Sequence, residues 1–594
     1  MSDGPITPSI LFTTLIFILI AAVARRKRSS PLPPPPPGPT PLPLFGNVFS
    51  IPKRRPWLQY AAWSRQYHSE PFPLSLRHLL TIYARVRLRV PGDLISVRAY
   101  GQLSVIANTS EATKELLDRR SAIYSDRPQT TMVDLQRIYR IPNGLCVEPS
   151  RMGWKIDFTF LPYSEAWRTK RRMFHQHFRE SAIPKYHAIQ QKFATEALKK
   201  LLDTPQDFLP HLKKTATSIA MAIAYDRVDP AKSDRFVHIS EQANVMLSGA
   251  VFPGAALANA FPFLRHLPEW LPGMHFKSFA RRCAALTSEM RDAPFDFVKH
   301  DSDNGIPNSS VTTSLLESNQ SRGGGKAGED AIKDVAVAAY TAKRPLFTLS
   351  RIRHGVSPSF PETPPTSILT PISLQKATAS LVSALLALLL HPHVQRRAQA
   401  ELDAVVGRTR LPTHADRAAL PLCSAICREV FRWNPIAPLG ISHAVLKDDV
   451  TICTSSSERP VGQIGTHVIP NAWAILHDPE MYPDPDAFKP ERFLNADGSL
   501  NDLDVQSSFG FGRRICPGRH LADSTLWISV ASILAVFTIE KAKDENGAEI
   551  PVRVDFADGL VSHPLPFDCS IRPRDERAVE LILEVARATS TWPG

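Results

Sequence analysis

Ten residues near the C-terminal end constrain this chain more than any other stretch: Phe509-Gly510-Phe511-Gly512-Arg513-Arg514-Ile515-Cys516-Pro517-Gly518. A lone cysteine in a large protein is usually a small buried hydrophobe. Here Phe509, Gly512, Arg514, Cys516 and Gly518 stand at fixed offsets, and the combination changes the reading. Glycines let a backbone pass close to a flat ligand. Arg514 offers a fork of donors to an anionic group. Cys516, as a thiolate, is a metal ligand. A flat, anionic, metal-bearing ligand satisfies all three properties at once.

At 594 residues with 43% hydrophobic composition, the chain is long enough for a large core. Its seven cysteines (Cys146, Cys283, Cys423, Cys427, Cys453, Cys516 and Cys569) are odd in number and scattered, which argues against a disulfide framework and for a reducing compartment. Cys423 and Cys427 lie four apart on a helical pattern. With no second pair to complete a zinc site, core packing is the favoured reading, zinc the alternative. The net charge of +13 invites a nucleic-acid reading, but the charge is dispersed and no recognition motif accompanies it. A basic patch facing an acidic redox partner or an anionic membrane suits it better.

Ile6 to Ala24 is an apolar run of bilayer length, followed at once by Arg25, Arg26, Lys27 and Arg28. Positive charge on its C-terminal side places the bulk of the chain in the cytosol. Ala22-Val23-Ala24 also resembles a cleavage site, but a signal peptide carries its positive charge before the apolar run, so an uncleaved anchor over 1–28 is expected. Pro33 to Pro37 then form a stiff spacer within a hinge over 29–50.

Downstream, Leu94–Arg98 and Ser104–Ala107 read as a strand pair and Glu111–Arg120 as a helix, and helical patterns recur through 165–300. Trp167 and Arg171 share a helix face. Glu429 and Arg432 stand at i and i+3, Pro490-Glu491-Arg492-Phe493 comes some 60 residues later, and His443 closes Gly440-Ile441-Ser442-His443. Singly these are ordinary helix and turn patterns. In this order, with the Cys516 loop, they resemble the cytochrome P450 family, and Asn471-Ala472-Trp473-Ala474-Ile475-Leu476-His477-Asp478-Pro479 resembles fungal microsomal members of secondary metabolism.

The resemblance implies a mainly α fold with small β-sheets, a single N-terminal transmembrane helix, and a haem domain over 51–594. It implies haem b with Cys516 as its axial thiolate and catalytic metal ligand. Arg514, Trp167, Arg171 and His443 would meet the propionates, while Phe509, Gly512 and Gly518 complete the cofactor loop. Glu429, Arg432 and Arg492 would form a buried structural triad. Ala437–Ile441 and Gly559–Val561 are candidate pocket linings. The implied partners are O2, a hydrophobic small molecule, the endoplasmic reticulum membrane, and NADPH-cytochrome P450 reductase delivering two electrons; nucleic acid is not among them.

The chain departs from the family pattern in four places. The oxygen-activating helix should continue from Ala331–Ala336 into an acid followed by a threonine, which relay protons. Instead Ala339-Tyr340-Thr341-Ala342 runs into Lys343-Arg344-Pro345, and a Pro-rich, basic stretch lasts to Lys376. The acid–alcohol pair is absent; Thr378 or Ser380 is the substitute on offer, with no neighbouring carboxylate. Segments 69–90, 136–151 and 451–464 also interrupt the pattern, the last in place of a strand–turn–strand. Low periodicity and excess basic charge motivate the hypothesis that these segments are translated intron or wrong splice choices. Natural surface loops are the alternative for 69–90 and 136–151. The expected function is haem-thiolate monooxygenation; the alternative is a catalytically impaired haem-binding relative or a mis-spliced product.

Overall fold

The computed structural model describes residues 35–67, 93–133, 138–141, 144–147, 152–226, 235–247, 257–341, 376–449, 452–454, 457–459 and 463–590, apart from positions 44, 53, 237, 241, 244 and 272. The expected anchor at 1–28, the start of the hinge, segment 69–90 and most of segment 343–376 lie outside these residues.

The first helix, α1 (Pro56–Gln66), opens on a proline that costs it no hydrogen bond. It lays Tyr60 and Trp63 on Ile95, Val97 and Ile106 of the sheet behind it. Strands β1 (Leu94–Ala99) and β2 (Gln102–Ala107) form the expected antiparallel pair. Their two-residue connection, Tyr100-Gly101, has φ of 48° and 84°, the left-handed pair that a tight hairpin requires. Neighbouring residues of β2 point to opposite faces: Ile106 goes to α1, while Val105 joins Leu116, Leu117 and Phe511.

The helix expected over Glu111–Arg120 forms only in part. One α turn (Ser110–Thr113), capped by the Thr109 hydroxyl, widens into a π-helical turn over Lys114–Arg119. This turn packs against the Cys516 loop. Strands β3 (Ile138–Ile141) and β4 (Gly144–Val147) pair as a hairpin, as do β6 (Ile452–Thr454) and β7 (Ser457–Arg459). The sequence pattern assigned no strands to 136–151 and a lost strand–turn–strand to 451–464, so both stretches are corrected. Each strand meets its partner across two residues, and such a short closure needs no long-range pattern. Strand β5 (His443–Ala444) and β8 (His467–Pro470) complete a four-stranded sheet of order β1-β2-β8-β5. β2 and β8 run parallel; β8 and β5 run antiparallel.

Helices dominate the rest, in two apolar cores. One joins α2 (Glu165–Phe178), α4 (Phe208–Tyr225), α5 (Phe276–Asp303), α6 (Val311–Ser321) and α7 (Lys326–Thr341). The other joins α3 (His187–Asp203), α8 (Lys376–Leu390), α9 (Pro392–Val405), α10 (Pro421–Trp433) and α11 (Arg519–Val536), closed by β9 (Phe537–Lys541), β10 (Cys569–Pro573) and α12 (Glu576–Ser590). α11 links the two: Leu521 belongs to the first core and Leu526 onward to the second. α8 is buried continuously from Thr378 to Leu389. A helix apolar on every face has no stable place except the interior. α7 and α8 both pack on α4, on either side of residues 342–375.

Candidate active site

The Cys516 loop consists of two short 3-10 turns, Gln506–Phe509 and Gly512–Arg514, running into α11. The Cys516 N–H donates to the Phe509 carbonyl at 2.8 Å, which closes the loop on itself. Phe509 lies edge-on to Phe431 of α10, with centroids 4.9 Å apart. Cys516 is partly exposed and sits two residues before Gly518, the N-cap of α11, where a helix favours negative charge. Burial pushes the thiols of Cys283 and Cys569 up to about 12 and that of Cys423 well above its usual range, as suits inert packing groups. Cys423 and Cys427 are buried in the second core, where the Cys423 N–H donates to the Glu401 carboxylate at 3.0 Å.

Each loop glycine has its own reason. A Cβ on Gly512 would stand 1.9 Å from the Leu117 carbonyl oxygen, and its φ is 55°. Gly512 therefore makes room for the π-helical turn. A Cβ on Gly510 or Gly518 would meet nothing within 4 Å, so open space lies beside both.

Three arginines and a histidine from distant parts of the chain gather beside this loop. Arg514 is buried and donates to the carbonyls of Ser125 (2.8 Å), Phe158 (3.3 Å) and Leu161 (2.8 Å), with its guanidinium 4.3 Å from the Trp167 ring centroid. Arg171, one turn beyond Trp167 on α2, donates to the Ile515 carbonyl at 2.7 Å. Arg127 donates to the carbonyls of Thr159, Ile441 and Ser442 at 3.0, 2.6 and 2.8 Å. His443 on β5 shares a 2.7 Å hydrogen bond with the Tyr124 carbonyl. Burial brings Arg514 down to about 9 and Arg171 to about 10, and it holds Arg127 well below its ordinary value with help from the charge of Arg514. His443 is likewise held well below the usual histidine range by burial and by Arg127. Among the described residues no carboxylate lies within 4.0 Å of Arg127, Arg171 or Arg514.

Such a cluster is costly to bury without an anion. A haem, which carries two carboxylates, fits it, and the sulfur of Cys516 would supply a ligand to its iron. Sequence reasoning named Arg514, Trp167, Arg171 and His443 but missed Arg127. Its only local signal was a cation in the turn Ser125-Asp126-Arg127-Pro128, which has no periodic context.

Beside the loop, Glu429 and Arg432 of α10 are fully buried and joined by bonds of 2.6 and 2.9 Å. Arg492 reaches Glu429 at 3.3 Å, and the Lys489 N–H reaches it at 2.7 Å. Arg432 also donates to the carbonyls of Leu476, Pro485 and Ala487.

The residues flanking the two candidate pocket linings are joined, the Ser562 N–H donating to the Ile436 carbonyl at 2.8 Å. Asn434 links Ser562 (3.1 Å) to Ser383 of α8 (3.1 Å), which ties both linings to that helix. Five residues earlier on α8, the Thr378 hydroxyl is buried with no hydrogen-bond partner among the described residues.

Comparison with known proteins gives the same family as the loop. The family profile described as Cytochrome P450 matches residues 377–570. A cytochrome P450 monooxygenase of Armillaria gallica is 32% identical over 544 residues, covering 91% of this chain and 92% of the relative. The tryptamine 4-monooxygenase of Psilocybe cyanescens is 33% identical over 546 residues, covering 91% and 93%. The cytochrome P450 monooxygenase COX1 of Coprinopsis cinerea is 33% identical over 564 residues, covering 94% and 95%. With one cysteine at a closed loop, a cation cluster fit for a dicarboxylate, and relatives matched nearly end to end, this chain belongs to the cytochrome P450 family of haem-dependent monooxygenases.

Proposed function

We propose that this protein inserts one oxygen atom from O2 into a hydrophobic small molecule, in fungal secondary metabolism, as a single-pass protein of the endoplasmic reticulum membrane with its haem domain cytosolic. The observation that carries the chemistry is the partly exposed Cys516 in a loop whose neighbours supply buried cations with no ion-paired carboxylate among the described residues. Cys516 would bind the iron of haem b, and Arg127, Arg171, Arg514 and His443 would hold its carboxylates. Thiolate-ligated haem supplies oxygen activation and O–O cleavage. The remaining work falls to the chain's own residues. Ala437–Ile441 and Gly559–Val561, tied together through Asn434, orient the substrate and exclude water. Glu429, Arg432 and Arg492 keep the loop's supporting wall in place.

Electrons come from NADPH through its reductase. On α2, Arg168, Arg172, His175 and Arg179 recur at helical spacing and are exposed, and Arg513 joins them from the Cys516 loop. An acidic carrier fits that face.

A reduced carbon-monoxide difference spectrum of the full chain tests the reading. A red-shifted Soret band is expected, and it is lost in Cys516→Ala. Wild-type protein without that band refutes the site.

A second reading rests on the missing acid–alcohol pair: a haem-binding relative impaired in proton delivery. Thr378 is a buried hydroxyl with no partner to pass it a proton among the described residues. Peroxide released per NADPH consumed separates the two. A ratio near one, unchanged in Thr378→Ala, supports the impaired relative; a low ratio that rises in Thr378→Ala supports the monooxygenase with Thr378 in the proton path.

A further inference from the structure

The second pocket lining, Gly559–Val561, is the tip of a hairpin whose two aspartates are held by arginines about 500 residues earlier in the chain. Residues 555–557 and 563–565 pair across it. The Ala557 N–H donates to the His563 carbonyl and the Leu565 N–H to the Asp555 carbonyl, each at 2.8 Å. On its inner side the hairpin is packed: Phe556 meets Trp433 of α10 edge-on at 5.6 Å, Val561 is buried, and Leu560 rests on the first core. On its outer side it is not. A groove of about 400 Å³ runs between it and the start of α1, lined by Pro52, Arg54, Arg55, Leu58, Gln59 and Asp555.

Charge crosses that groove. Arg54 Nε donates to the Asp558 carboxylate at 2.7 Å, and the Arg55 N–H donates to the same group at 3.1 Å. The Arg55 guanidinium bonds Asp555 and the Phe556 carbonyl. Arg55 has a φ of 45°, strained for a residue that precedes a proline. Such strain persists where the surroundings over-determine it; here it lets one residue turn both its N–H and its guanidinium onto the hairpin. A lone exposed ion pair contributes little. These aspartates, however, are only 18% and 13% exposed and share their donors. Where packing is open, the ion pairs set where the hairpin stands. We propose that Arg54 and Arg55 are positioning residues for substrate: through Asp555 and Asp558 they place the hairpin tip, and with it one wall of the substrate pocket. The proposal rests on the reading of Gly559–Val561 as that wall and adds what positions it.

The test uses the full chain, haem-loaded, and follows the Soret band. Two azoles that bind haem iron through nitrogen are the probes: imidazole, too small to need a wall, and clotrimazole, bulky and hydrophobic. Expected is a roughly tenfold rise in the clotrimazole dissociation constant in Asp558→Asn and about threefold in Arg54→Ala, with Arg54→Lys near wild type and imidazole binding unchanged throughout. Leu560→Ala should weaken clotrimazole in the wild type and add nothing in Asp558→Asn, because a displaced tip no longer touches the ligand. Losses that simply add would sever the ion pairs from the tip and overturn the proposal. Unchanged clotrimazole binding in both Asp558→Asn and Arg54→Ala would also overturn it, with normal imidazole binding leaving the haem site standing. Equal loss of both azoles would assign the ion pairs to the fold as a whole, with the same consequence. If the wild type shows no shift with imidazole, the haem reading itself fails and the proposal with it.

Discussion

Arg432 and Arg514 are both buried, and each donates to three backbone carbonyls, yet only Arg432 has a carboxylate beside it. Glu429 neutralises Arg432 within the protein, and the Lys489 N–H and Arg492 complete its bonds. That arrangement closes on itself and is structural. Arg514, with Arg127 and Arg171, is held by carbonyl dipoles and, for Arg514, the Trp167 ring; Asp126 and Asp157 act on the cluster only from beyond ion-pair distance, so the positive charge is positioned with no carboxylate in contact. The difference teaches how to tell a structural buried arginine from one that binds: by counting counter-charges rather than hydrogen bonds.

The largest expected effect falls on the closed arrangement. Glu429→Gln leaves Arg432 buried without an anion and should cost about 3–5 kcal/mol, read as a fall in the urea midpoint. Unfolding at the wild-type midpoint would break the comparison. Next comes the wall between the two regions. Gly512→Ala forces a Cβ against the Leu117 carbonyl at positive φ and should cost about 1–3 kcal/mol. Gly518→Ala, with open space beside it, should leave haem-free stability unchanged and show its effect only on haem retention. The open arrangement should respond in the opposite sense. Arg127→Leu should leave the haem-free protein as stable as wild type or more so, while haem transfer to apomyoglobin speeds up roughly tenfold, about 1.4 kcal/mol. A loss of haem-free stability as large as that of Glu429→Gln would place Arg127 in the structural class.

The smallest effect arises where acid, rather than the sequence, creates a cation in a half-buried site. His187 and His414 stack with centroids 3.7 Å apart and planes at 4°, beside Ser524, Trp527 and Arg417. Burial, His187 and Arg417 lower His414 to about 4 from an ordinary 6.5. The unfolded chain therefore binds the proton more readily than the folded one. Stability is full above pH 6.5 and falls as pH drops from 6.5 through 4. Allowing for partial solvent access, the loss attributable to this ring is on the order of 1 kcal/mol. His414→Gln should flatten the pH dependence of Tm in that window; an unchanged slope would assign the acid sensitivity to other groups.

Much of the site was legible because its parts are local. The Cys516 loop fixes Phe509, Gly512, Arg514 and Gly518 by covalent spacing alone, and one helical turn fixes Trp167 relative to Arg171 and Glu429 relative to Arg432. The strand pair over 94–107 was readable from alternation. The hairpins at 138–147 and 452–459 were not, because four- and three-residue strands are too short to show a period. The helix expected at 111–120 widened because Leu116 and Leu117 are drawn into the cluster that also holds Phe511, a contact across almost 400 residues of chain.

The sequence by itself determined the chemistry: a cysteine in a glycine-bearing loop, a carboxylate and guanidinium one turn apart, and a helix from Ala331 that runs into Lys343-Arg344-Pro345 without the acid–alcohol pair. Only the tertiary structure decided that Arg127 joins Arg514 and Arg171, that Gly512 yields to the Leu117 carbonyl, and that Arg54 and Arg55 reach Asp558 and Asp555. The physical reason is range. Spacing along a helix or loop is set by bonded geometry, whereas a charge cluster or an ion pair drawn from remote segments exists only after burial of the two cores has paired those segments in space.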